Sequence, residues 1–99
     1  MSNGNGILMN KPKVGTTVEV WLVCNRGQWV GMVPALAGVG AKGPDPEAIY
    51  SYCRSRTMDI VMRSRNNRVE PPWQAITRKP PIGCTVRRFT YKHGGLNGL

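Results

Sequence analysis

Ninety-nine residues, 40% of them hydrophobic, support one domain with a single small core. Fourteen Lys and Arg stand against five Asp and Glu, a formal charge of +9, which points away from cationic targets and toward anionic ones. No run approaches the roughly 18 apolar residues of a membrane span, and the opening MSNGNGILMNKPK lacks the apolar stretch of a secretory signal.

Residues 1–15 read as a flexible lead-in. Residues 16–25, TTVEVWLVCN, predict a strand rich in β-branched and aromatic side chains. Its alternation sets Val18, Val20, Leu22 and Cys24 on one side and Glu19, Trp21 and Val23 on the other. Asn25-Arg26-Gly27 has the chemistry of a hairpin turn into a second strand over 28–33. Pro34 cannot donate to a ladder and ends that strand. Residues 37–43 hold three glycines and suit either a short third strand or a loop.

Pro44-Asp45-Pro46-Glu47-Ala48 opens a helix. Asp45 suits the N-cap, because its carboxylate accepts from orphaned N–H groups of the first turn. Pro46 takes the first helical position at no cost, and Glu47 complements the positive end of the dipole. The helix is expected over 46–65, with Ile49, Cys53, Thr57, Ile60 and Ser64 as its core stripe. Arg54, Met58 and Arg65 are expected to face solvent, nearly opposite that stripe. Arg56 and Arg63 share a side stripe beside Tyr52. Asn66-Asn67 is a good stop, and Pro71-Pro72 and Pro80-Pro81 keep the stretch 67–83 extended. A last strand over 85–91 places Arg87, Phe89 and Tyr91 on one face and Val86, Arg88 and Thr90 on the other. Residues 93–99 read as a loose tail. The expectation is one α+β domain over 16–92, a small antiparallel sheet in ββ(β)αβ order packed against one helix. Trp21 and Trp29 belong in its core, and Trp73 suits core or surface equally.

The pieces Trp29-Val30, Met32-Val33-Pro34, Leu36-Ala37-Gly38, Ala41-Lys42-Gly43 and Asp45-Pro46-Glu47-Ala48 occur in an order that resembles the central part of a HicB-like antitoxin domain. This is the small partial RNase H-like fold of toxin–antitoxin pairs. The resemblance covers about a third of the chain well and most of it loosely. It implies a module that binds a small RNA-cleaving toxin and masks its active site, in a homodimer or higher oligomer. In that family a further carboxy-terminal segment usually carries operator binding, and nothing after residue 92 has the length of a helix-turn-helix. Such antitoxins are commonly acidic, whereas this chain is basic and would repel the usual basic toxin.

The charge is one-sided. Residues 1–53 carry four cations against three carboxylates, and residues 54–99 carry ten against two, eight of the ten being arginine. Arginine's planar fork matches phosphate oxygens and stacks on bases, so this half has the footprint of a nucleic-acid surface. The candidate contacts are Arg54, Arg56, Arg63 and Arg65 on the helix, Arg68, Arg78 and Lys79 on the connection, and Arg87, Arg88 and Lys92 on the last strand. Trp73 is a candidate stacking platform, with Phe89 and Tyr91 behind it. The bland readings are a solubilising face, or a surface that docks an acidic protein, as in a phage-type inhibitor or assembly component.

No catalytic constellation is expected. Asp45 and Glu47 are accounted for by capping, and Glu19, Asp59 and Glu70 are scattered, which leaves nothing for a two-metal nuclease site. The single histidine, His93, sits in a Gly-flanked stretch without a nucleophile partner. Cys24, Cys53 and Cys84 form no C-x-x-C pair, so neither zinc nor a disulfide framework is expected. That cysteine usage fits a reducing, cytoplasmic compartment. The expectation is a binding protein with no enzyme activity, no cofactor and no membrane, acting on RNA, DNA or a complex that carries them.

Overall fold

In the computed structural model, which describes residues 17–90, the first expected strand forms as β1 (Thr17–Asn25). The lead-in, the tail, Tyr91 and Lys92 lie outside the described residues. Arg26 and Gly27, at φ 56° and 78°, form the hairpin turn. Two successive positive φ values are the type I′ turn that matches strand twist, so Asn25 comes to face Gln28. β2 (Gln28–Met32) then runs antiparallel and stops short of Pro34.

Residues 33–39 make a tight hydrogen-bonded loop. Val33 donates to Val39 and Leu36 donates to Val33, which turns Val33, Ala35, Leu36 and Val39 into the core. The glycine-rich stretch beyond it is a strand rather than a loop, β3 (Gly40–Gly43), paired to β2.

Asp45 caps the helix as expected, its Oδ1 accepting from the Glu47 N–H at 3.0 Å. The helix α1 (Pro46–Asn66) buries Ile49, Tyr50, Cys53, Thr57, Val61 and Ser64. This corrects the expected stripe, because Val61 rather than Ile60 is the fully buried member. With Tyr50 and Val61 inward, the buried arc rotates toward one flank. Met58, expected in solvent, consequently packs against the core, and Arg65 is half-buried. Buried Thr57 satisfies its hydroxyl by donating to the Cys53 carbonyl at 2.8 Å. Gly31 permits the close seat of α1 on β2: a Cβ there would collide with Ile49 Cγ2 and lie 2.8 Å from Leu22 Cδ2.

β4 (Thr85–Thr90) pairs with β1, completing a four-stranded antiparallel sheet of order β3-β2-β1-β4. The fold is therefore the α+β sandwich of one sheet and one helix that the sequence predicts. Val18, Val20, Leu22 and Phe89 face α1, which lies mostly over β2 and β3. Trp21 is also buried, at 2% exposure, but on the opposite face. Its neighbours there are Met32 and Val86. Trp29 is only half-buried, against the core.

The connection between α1 and β4 changes faces. Asn67 caps the helix through its N–H to Arg63, and Arg68 turns at φ 59°. Trp73 then bridges to Leu36, and Gln74 grips the loop, its N–H on Ala35 and its Nε2 on Pro34 at 3.0 Å. Arg78 reaches Met32 Sδ at 3.7 Å, on the face away from α1. A turn closed by Cys84 N–H to Pro81, with Gly83 at φ 84°, delivers the chain to β4. Among the described residues, no helix is long and apolar enough to cross a membrane.

Candidate nucleic-acid interface

At about 100° per residue along a helix, the four helical arginines divide between the two flanks of the buried arc. Arg56 and Arg63 take one flank and converge on a single carboxylate, each 2.9 Å from Asp59 Oδ2. Both are exposed pairs at helical spacing, worth a few tenths of a kcal/mol at most. Two cations on one anion leave that flank weakly positive.

Arg54 and Arg65 take the other flank, which turns toward β4. Glu47 marks it: its Oε2 accepts from Arg87 Nη1 at 2.7 Å, tying the first turn of α1 to β4. The Arg87 guanidinium also stacks over the Tyr50 ring, 3.8 Å from its centroid, and Tyr50 meets Phe89 edge-on. The hydrogen bond to Glu47, above all, pushes the Arg87 pKa up from its ordinary value. Arg54 follows Tyr50 by one helical turn, is exposed and, among the described residues, makes no ion pair. Arg65 lies three turns on, its Nη1 buried and, among the described residues, without a hydrogen-bond partner, which is a cost to the fold rather than a donor open to a ligand. This flank therefore carries three arginines against one glutamate.

Arg88 is on the far face of the sheet. It pairs with Glu19 Oε2 at 3.3 Å across the β1–β4 ladder, while Glu19 Oε1 accepts from Trp21 Nε1 at 2.8 Å. Arg78 is on that side too, beside a cleft of about 190 Å³ lined by Met32, Pro34, Gln74, Ile76 and Thr77. Lys79 is exposed next to it, and Lys42, opposite Val30, adds a cation that sequence reasoning left out. Arg68 stands past the helix end, exposed. Trp73 is half-buried against the core, not an open stacking face.

The ten expected contacts do not form one surface. No family model, curated protein or solved structure matches the chain. The set resolves into the α1 flank toward β4 (Arg54, Arg65, Arg87), the Asp59-tied flank (Arg56, Arg63) and the far face (Arg78, Lys79, Arg88), with Arg68 standing apart past the helix end. Lys92 lies outside the described residues. Glu47 and Glu19, which organise the first and third groups, were invisible as partners in the sequence because 40 and 69 residues separate them from Arg87 and Arg88. Tyr50, three residues after Glu47, carried the one local signal: it shares a helix face with a carboxylate. Among the described residues no group of three or more His, Cys, Asp or Glu could hold a metal ion.

Proposed function

We propose that this chain is a non-enzymatic binding protein that takes nucleic acid, or a complex carrying it, on its basic carboxy-terminal half. The observation that carries this reading is the α1 flank toward β4, where Arg54, Arg65 and Arg87 stand against Glu47 alone. Phosphate would occupy the exposed donors of Arg54, and the connection's Arg68 would extend the track past the helix end. Four of the five carboxylates have structural duties, Asp45 capping the helix and Glu19, Glu47 and Asp59 holding arginines.

The element order and the Asp45 cap support a HicB-like scaffold, and free Cys24, Cys53 and Cys84 support a reducing cytoplasmic setting. A toxin-masking role remains the second reading on that scaffold. It would require a toxin surface acidic enough to meet the arginine flank.

Fluorescence anisotropy with a labelled single strand and a duplex, over a salt titration, tests the reading. Affinity is expected to fall linearly in log salt, by roughly 0.7 to 0.9 per phosphate contacted. Arg54→Glu should weaken binding and flatten the slope by about one contact. Absence of binding at low salt would sink the nucleic-acid reading and transfer the surface to an acidic protein partner.

A further inference from the structure

We infer that the turn over residues 81–84 is a wedge for duplex DNA, with Ile82 entering between two base pairs from the minor groove and kinking the helix. The inference rests on the nucleic-acid reading and adds to it a contact outside the α1 flank. Ile82 is 103% exposed, against 57% for Val69, the next most open large apolar side chain among the described residues. An isoleucine held wholly in water gains nothing from the fold.

The tip is nevertheless built. Cys84 N–H donates to the Pro81 carbonyl at 3.0 Å, and the positive φ of this turn falls on Gly83 alone, as in a type II turn. A Cβ on Gly83 would meet nothing within 4 Å, so the turn stands clear of its surroundings. Pro80 and Pro81 fix the backbone leading into it. A side chain presented this way loses little further freedom when a partner covers it.

The approach to the tip is cationic. Arg78 and Lys79, both exposed, come immediately before the prolines, and residues 71–86 contain no carboxylate. Arg78 touches Met32 on β2, and Thr85 enters the ladder opposite Leu22 on β1. The segment 78–84 therefore straps the far face of the sheet and carries its two cations alongside the wedge. Glu19, on that face of β1, is already held by Arg88 and Trp21.

A duplex meets both halves of this chemistry. Its phosphates border the minor groove within reach of Arg78 and Lys79, and a parted base step offers an apolar slot to a side chain that can make no hydrogen bond. Unstacking the step is costly, and the phosphate attraction of a chain with net charge +9 offsets it. A lipid surface fits less well: even a whole myristoyl chain anchors a protein only marginally, and one isoleucine is far smaller.

Anisotropy together with energy transfer between the labelled ends of one duplex tests the wedge. The wild-type chain should draw the ends together, by a bend of roughly 20–90°. It should also bind a bulged duplex several-fold more tightly than an intact one, because the bulge is already unstacked. Ile82→Ser should keep the urea midpoint and the salt slope but lose both the bend and that preference. Arg78→Gln combined with Lys79→Gln should instead flatten the salt slope by about two contacts. A duplex bound with its ends at unchanged distance overturns the wedge and leaves the nucleic-acid reading standing, as does Ile82→Ser bending it equally well. Binding to neither duplex nor single strand at low salt removes both readings. Anionic vesicles that retain the wild-type chain but not Ile82→Ser, with no such difference on DNA, would reassign the tip to a membrane surface.

Discussion

Three residues set local costs that can be measured. Asp45 satisfies a first-turn N–H that would otherwise face water unpaired. Asp45→Ala is expected to lower stability by about 1 kcal/mol in urea, with an unchanged m-value. Gly31 sits where α1 touches β2, and its missing Cβ is the space into which Ile49 and Leu22 close. Gly31→Ala should cost about 1–3 kcal/mol by overpacking, although alanine is the smallest possible addition. Cys53 is fully buried, and burial pushes its thiol pKa up because the thiolate would lose its hydration. The folded state therefore holds this proton more tightly than the unfolded chain does. Its contribution to stability is intact below the ordinary thiol range and declines as pH rises through it toward the elevated folded value. A thiol-reagent time course at mildly alkaline pH should modify exposed Cys24 quickly and Cys53 only at the rate of unfolding.

At the scale of elements, α1 has two opposed tasks. One side supplies the core, and the flanks carry arginine. The flank with Arg56 and Arg63 is restrained by Asp59, so releasing it should alter binding more than folding. Asp59→Asn is expected to change stability by less than about 1 kcal/mol, because exposed pairs contribute little. The same substitution should tighten nucleic-acid binding several-fold, measured by anisotropy at fixed salt. Unchanged affinity would mean that this flank faces away from the ligand. β4 combines the opposite demands: its inner edge completes the ladder with β1, while its side chains tie the sheet to α1 and to Glu19.

At the scale of the whole molecule, a net charge of +9 on 99 residues works against the compact state and for anionic partners at once. Salt should thus act with opposite signs on two observables. The thermal midpoint of the free protein is expected to rise between low and physiological ionic strength as self-repulsion is screened. Affinity for nucleic acid is expected to fall over the same range. A midpoint that drops with salt would show that the surface pairs, not the surplus charge, dominate the electrostatics of the fold.

Local chemistry was enough to determine most of the architecture. The Arg26-Gly27 turn, the stop before Pro34, the Asp45 cap and the Asn67 helix end all depend on residues within a few positions of one another. The strand alternation of β1 and β4 likewise follows from period two, and it put Arg87 and Arg88 on opposite faces before any contact was known. Tertiary structure alone decided which cations are free. Glu47 and Glu19 meet Arg87 and Arg88 only because the sheet brings β4 beside β1 and under the first turn of α1. It also decided the rotation of α1, adding Tyr50 and Val61 to the buried arc, leaving Ile60 partly buried at its edge and drawing in Met58 and Arg65, since a helix settles on the face that best fills the sheet. A count of arginines is a property of the chain. Their division among three surfaces is a property of long-range packing, which no local pattern encodes.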